Sequence, residues 1–193
     1  GKIKGSRFIK TEGRPTDEAI LTARFIDRAL RPLFNDRIRN DIQVIVTTLA
    51  FDEENDPDIL GLIGASCALC ISDIPWAGPI ACIRIGQING EWVINPSYQA
   101  REKSILDLAF AGTPEKIIMV EAGGNEVPEE TVLEAFWFGQ KHLKEPMQLI
   151  EKIQKAVGKE KRDLLTPKTD AEKELDLKRV EIEKIAYTFI VDE

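Results

Sequence analysis

The chain has one histidine, His142, and three cysteines among its 193 residues. That scarcity excludes several chemistries. A Ser–His–Asp relay would have to run through His142, and no serine or aspartate spacing supports one. A four-ligand zinc site would need Cys67, Cys70, Cys82 and His142 together, although the last two lie far from the first pair in the sequence. Three cysteines are too few for the disulfide framework of a small secreted domain. Cys67 and Cys70 form a CxxC, but it sits deep in the apolar run 61–71 rather than at a helix start, so buried core thiols are expected. No apolar run is long enough to span a membrane, and there is no P-loop. No cleavable leader opens the chain, which begins at Gly1 without a methionine, so a segment excised from a longer protein is expected.

What is present describes a globular protein, 43% hydrophobic and 31% charged. The length suits one full domain plus an appendage. The formal charge of −7 is unevenly spread. Residues 1–40 hold ten Lys/Arg against five Asp/Glu, a surplus of +5, which leaves −12 for the remainder. A basic front on an acidic body suits local contact with nucleic acid.

Within that front, residues 20–34 read as an amphipathic helix. Arg24, Arg28 and Arg31 recur at i, i+4 and i+7 and share one face. Leu21, Phe25, Ile26, Leu30, Leu33 and Phe34 supply the apolar face. Guanidinium forks match phosphate oxygens and stack on bases. Three solvated arginines beside Asp27 are the other reading of the same spacing. Upstream, Lys2, Lys4, Arg7, Lys10 and Arg14 surround Phe8 in residues 1–15. An aromatic among cations can stack on an unpaired base while the cations take phosphates. A mobile chain end is the alternative.

Thr16 is the expected N-cap, with Asp17 and Glu18 in the first turn, and Pro32 marks the helix end. Residues 41–50, DIQVIVTTLA, read as a strand by their β-branched content. Pro57 opens a helix whose small apolar residues, 58–73, suit burial on a sheet. Asn89-Gly90 predicts a hairpin between strands at 80–87 and 91–95. Residues 105–113 and 116–122 read as two more strands, with Asp107 amid apolar neighbours. Residues 129–157 read as a long helix kinked at Pro146, with Phe136, Trp137 and Phe138 partly in the core. From about 158 a polar linker leads into another helical unit. His142 reads as a surface residue. The carboxylates Asp52, Glu53, Glu54, Asp56 and Asp58 read as turn solvation and helix capping.

Four stretches in order, EGRPTDEAILTARFIDRALRPLF, NDPDILGLIGASCALCISDIPWAGPI, NGEWVINPS and LDLAFAGT, together resemble the polynucleotide phosphorylase family. The resemblance runs from about residue 1 to 157 and covers the first of that family's two RNase PH-like domains. It implies two parts: 1–157, a partial first RNase PH-like domain, and 158–193, the start of the all-helical linker domain. The implied fold class is α/β (α+β), RNase PH-like and ribosomal protein S5 domain 2-like, shortened by several N-terminal strands. Such a sheet would expose an edge, so dimerisation, swapping or association with the missing piece is expected. The implied activity is phosphate-dependent 3′→5′ degradation of RNA to nucleoside diphosphates, and its reverse, in mRNA degradation. The family implies a cytoplasmic homotrimer that threads single-stranded RNA through a channel. Inorganic phosphate is its co-substrate, Mg2+ serves in its second core, degradosome-type proteins are its partners, and no membrane is involved.

The resemblance also implies residue roles. The family's loop at the channel constriction reads FFRREGRP in common members, and RFIKTEGRP stands here, with Ile9 and Thr11 departing from it. Phe8, Lys10 and Arg14 match the stacking and phosphate positions. Arg24, Arg28 and Arg31 match arginines near the RNA path. The family's catalytic DxDxK strand belongs to its second half. In the corresponding strand here Asp107 remains, Ile105 replaces the first Asp and Ala109 the Lys. Arg101 stands at an upstream Asp position, and NDPD where phosphate-binding serines would be. Phosphorolysis needs an electrophilic phosphate pocket and groups that manage developing charge. One Asp without partners does not supply that, so no catalytic residue and no metal ligand is expected. The segment is expected to be inactive by itself, contributing RNA binding and trimer scaffolding to an active parent enzyme. One rival is a single-domain RNase PH or exosome ring subunit. Another is an assembly domain without RNA contact, which would hold Arg24, Arg28 and Arg31 in ion pairs or interfaces.

Overall fold

The computed structural model describes residues 15–165 and 170–191. They form two compact units: residues up to 35 together with 42–162, and residues 36–41 together with those from 163 on.

The first unit opens with α1 (Asp17–Leu30), capped by Thr16, whose hydroxyl oxygen accepts from the Ala19 N–H at 3.2 Å. Burial on α1 starts at Phe25 and continues through Ile26, Ala29 and Leu30. Leu21, placed on the apolar face by its spacing, is 65% exposed, because the packed part of the helix begins a turn later. Pro32 falls in a 3-10 turn (Arg31–Leu33), where the helix ends. The Leu30 carbonyl, where α1 ends, also accepts from the Trp76 indole N–H at 3.1 Å. Helix α2 (Pro57–Ile71) follows, with Asp56 as N-cap and Pro57 at its first position. Its Ser66 hydroxyl accepts from the Ile80 N–H at 3.1 Å, tying the helix to the entrance of the sheet.

The sheet has four antiparallel strands in the order β2-β1-β3-β4: β1 (Ala81–Ile88), β2 (Glu91–Ile94), β3 (Leu106–Gly112) and β4 (Ile117–Gly124). Asn89 at φ 52 and Gly90 at φ 83 make the expected left-handed turn between β1 and β2. One-turn helix α3 (Tyr98–Arg101) connects β2 to β3. Side chains alternate across the sheet. Cys82, Ala109 and Ala111 pack towards α1 and α2, with Phe25, Leu30, Leu62 and Leu69. Ile83, Ile85, Leu106, Leu108 and Phe110 pack on the opposite face with Ala135 of α4 (Glu129–Gln140). Gly139 permits this approach, since a Cβ there would stand 2.2 Å from Ile85 Cδ1. The same parity puts Arg84 and Asp107 on the α2 side, where β1 and β3 run in register through Arg84–Ala109 and Gly86–Asp107.

Three expectations are corrected. Residues 41–50 form no strand, and Val44, Ile45, Val46 and Leu49 are exposed. β-propensity reports fitness for a half-buried pleat, and no described residue offers that stretch a ladder. The long helix breaks at a 3-10 turn, Lys141–Leu143, rather than at Pro146. Pro146 lies in the first turn of α5 (Lys144–Val157), where a missing N–H loses no helical bond. Trp137 is 67% exposed, whereas Phe136 and Phe138 are partly buried against the core.

Residues 159–162 lie against the end of α2. The Lys159 N–H donates to the Ile71 carbonyl at 3.0 Å and the Arg162 N–H to the Asp73 carbonyl at 2.8 Å. Lys161 Nζ donates to the carbonyls of Leu69, Cys70 and Ser72 at 2.7, 3.0 and 2.7 Å. A cation thus satisfies the helix's last carbonyls. The second unit holds α6 (Asp170–Val191) and an isolated antiparallel bridge between Ile38 and Leu165.

Candidate functional site: a closed charge network and an open arginine edge

The α2 face of the sheet carries a network of five charged side chains. Arg84, in the middle of β1, is 8% exposed, and Asp58, at the second position of α2, is 6% exposed. Arg84 Nη2 donates to Asp58 Oδ2 at 2.5 Å, and Nη1 reaches both Asp107 oxygens at 2.9 and 3.0 Å. Arg101, at the end of α3, donates to Asp56 Oδ2 at 2.7 Å and to Asp107 Oδ2 at 2.9 Å. Asp56 also lies 3.7 Å from Arg84 Nη2, so Arg84, Asp107, Arg101 and Asp56 close a ring with Asp58 appended.

Backbone contacts fix the ring. The Arg84 N–H donates to Asn95 Oδ1 at 2.9 Å, and its carbonyl accepts from the Asn95 N–H at 2.7 Å. The Tyr98 N–H donates to the Glu54 carbonyl at 2.9 Å, and the Arg101 guanidinium lies 5.7 Å from the centre of the Tyr98 ring. Asp52 organises the turn before α2 by accepting from the Glu54 and Asn55 N–H groups, both at 2.9 Å. Hydrogen bonds from Asn55 and then Glu54 hold its carboxyl down at about 2.

Burial pushes the Asp58 carboxyl above its ordinary value, against the opposing pull of Arg84. Burial alone would lower the Arg84 guanidinium, but Asp58 and Asp107 outweigh it and raise it, so Arg84 stays charged. Every carboxylate in the network already accepts from or pairs with a guanidinium. A divalent cation placed there would face two guanidiniums, so these residues do not fit one. No group of three or more His, Cys, Asp or Glu side chains among the described residues is arranged to hold a metal. Both Nη groups of Arg84 and of Arg101 are taken up by carboxylates. The chemistry of the cluster is structural: it joins α2, β1, α3 and β3.

Two sequence expectations are corrected here. Asp107 is not without partners, since two arginines hold it. Asp56 caps α2 but also binds Arg101, and Asp58 is buried against Arg84 rather than solvated. The available signal was an arginine inside an otherwise apolar strand run, 80–87, facing an aspartate inside another.

The expected RNA-contacting residues fall elsewhere. Phe8, Lys10 and Arg14 lie outside the described residues. Arg24 is exposed and makes no ion pair among the described residues. Arg28 pairs with Glu121 on β4 and has Met119 Sδ at 3.8 Å. Arg31 pairs with Asp27 at 2.7 Å, with both side chains exposed. His142 is exposed, Cys67 is half-buried rather than in the core, and Cys70 and Cys82 are buried core thiols, burial pushing Cys70 up to about 11.

Residues 2–75 match the 3′ exoribonuclease family, domain 1, and residues 78–142 match domain 2 of the same family. The division falls in the turn between α2 and β1. The chain belongs to the 3′ exoribonuclease family, and its α+β unit is RNase PH-like. Its relatives include polyribonucleotide nucleotidyltransferases, the enzymes also called polynucleotide phosphorylases. It is 49% identical over 185 residues to that of Finegoldia magna, which covers 96% of this chain and 26% of the relative. It is 49% identical over 178 residues to that of Shouchella clausii, covering 92% and 25%. It is 45% identical over 189 residues to that of Sulfurihydrogenibium azorense, covering 98% and 27%. The chain spans about a quarter of the length of the curated relatives it matches.

Proposed function

We propose that this chain is a segment of a phosphate-dependent 3′→5′ exoribonuclease of the polyribonucleotide nucleotidyltransferase type. In this reading the whole enzyme attacks the terminal phosphodiester of single-stranded RNA with inorganic phosphate and releases nucleoside diphosphates, in cytoplasmic mRNA degradation. The segment guides RNA and scaffolds a homotrimer, while the reacting groups and Mg2+ belong to the second RNase PH-like core. Degradosome-type proteins are candidate partners of the whole enzyme. Phe8, Lys10, Arg14, Arg24, Arg28 and Arg31 are the proposed RNA contacts, and residues from 158 on open the linker domain.

The observation that supports the inactive role is the closed network. Phosphorolysis needs an open cationic pocket for phosphate and unpaired groups for the developing charge. Arg84 and Arg101 are turned inward on Asp56, Asp58 and Asp107 instead. Exposed Arg24 and Arg28 on α1 and Arg31 just after it support the guiding role, since exposed guanidiniums exchange weak surface pairs for phosphate oxygens readily. The pairs Arg28–Glu121 and Arg31–Asp27 favour the rival reading of an assembly domain that does not touch RNA.

Fluorescence anisotropy of a labelled single-stranded RNA, at low and moderate salt, separates them. Salt-sensitive binding that is weaker and has a shallower salt slope in the Arg24→Ala/Arg28→Ala/Arg31→Ala variant supports guidance. No binding by either protein supports the rival. Phosphorolysis of poly(A) by the chain alone, above an Asp107→Asn control, would overturn the inactive role.

A further inference from the structure

One concavity of the first unit gathers groups that neither the network nor α1 uses. It has a volume of about 380 Å³ and is lined by Pro114, Trp137, Gln140, Lys141 and Lys144. Trp137 is 67% exposed and makes no ring contact among the described residues, although Phe136 and Phe138 beside it enter the core. A solvent-facing indole is a large flat apolar surface left uncovered. Lys141 and Lys144 follow it by four and seven residues, so the three share one side of the helical run. Both lysines are exposed and unpaired among the described residues. Glu134 and Glu145 flank them along the chain without forming an ion pair with either. Gln140 Nε2 donates to the Pro114 carbonyl at 2.6 Å, which fixes the floor and leaves the side-chain carbonyl available to accept.

We propose that this concavity is a second contact for single-stranded RNA, in which one base stacks on Trp137 and the adjoining phosphates meet Lys141 and Lys144. An aromatic platform flanked by cations suits a strand without sequence preference, because every base has a π-face. The contact rests on RNA being the ligand of this chain but does not depend on the arginines of α1.

The test is a titration of intrinsic fluorescence of the 193-residue chain with an oligo(A) of about eight nucleotides, and separately with ADP. Trp76 and Trp92 are partly buried, and a Trp137→Phe variant measures their background. The expected result is quenching by the oligonucleotide that is present in the wild type and in the α1 triple variant, and absent in Trp137→Phe. Trp137→Ala weakens the affinity about tenfold. Lys141→Ala/Lys144→Ala lowers the slope of log affinity against log salt by about 1.4. Quenching no greater than the Trp137→Phe background, or an unchanged affinity in Trp137→Ala, overturns the contact. Equal quenching by ADP assigns the site to a free nucleotide and overturns the strand. Trp137 protected by self-association instead assigns it to a protein surface. Because the triple variant is measured alongside, Trp137 quenching that persists there keeps this contact even where guidance by α1 fails.

Discussion

Two sets of arginines in the first unit have opposite fates. The Arg84 side chain is 10% exposed and meets carboxylates from α2 and β3, whereas those of Arg28 and Arg31 are 48% and 76% exposed and meet one carboxylate each. Burial strengthens every interaction of Arg84 and makes an unmatched charge expensive. Water and salt screen the pairs on α1 and leave those guanidiniums available. Counting arginines therefore says little about anion binding. What decides it is whether several carboxylates converge on the guanidinium before a ligand arrives.

The sharpest way to break this contrast is Arg84→Ala. It leaves Asp58 buried with its nearest cation gone, and a loss of about 3–5 kcal/mol is expected in urea unfolding. A loss under about 1 kcal/mol would put Arg84 in the same class as the surface arginines. Asp58→Asn should lose less, because the ring of Arg84, Asp107, Arg101 and Asp56 survives with two charges of each sign. Its pH dependence carries a sign. The folded Asp58 carboxyl lies above 3.8, so folding disfavours its ionised form. The wild type therefore regains stability from this group as pH falls through the raised value, and Asp58→Asn does not. Unfolding midpoints of both proteins from neutral pH downward read the difference, and a gap that stays constant would contradict the buried assignment.

Exposed Asp52 should behave in the opposite sense. Its carboxyl is held at about 2 against an ordinary 3.8. Its contribution is present above 3.8 and disappears as pH falls towards about 2. Asp52→Asn should therefore show a shallower loss of stability in acid than the wild type. The smallest effects belong to α1. Arg24→Ala should change stability by no more than about 0.5 kcal/mol, and Arg28→Ala by no more than about 1 kcal/mol, while both weaken RNA binding in the anisotropy assay. A large loss of stability in either would move that arginine from the open set to the closed one.

The elements that were readable before the structure are those coded locally. The Asn89-Gly90 turn fixes its own hairpin, Thr16 and Asp56 cap their own helices, and Pro57 opens α2 where its ring fits. The misreadings involve partners distant in sequence. Residues 41–50 have strand composition, but a strand exists only as a ladder. Pro146 announced a kink, yet the helix breaks before it, because a proline in a first turn needs no rupture. The charge network was the least visible part. Asp58 looked like a capping residue, and only the packing of α2 on β1 brings it to Arg84 across 26 positions. Two opposite charges at the same parity of neighbouring strands was the clue that local reading passed over.

The contacts of residues 159–162 have a mechanical meaning. Tension arriving from residue 163 onward would meet the Arg162 bond to Asp73 first and those of Lys161 and Lys159 after it, so the attachment would be peeled bond by bond. The load would end on the last carbonyls of α2, a helix rooted in the core by Leu62, Ala65 and Leu69. Lys161 acts as a belay, and a force-extension trace should show the segment after it paying out before the sheet gives way.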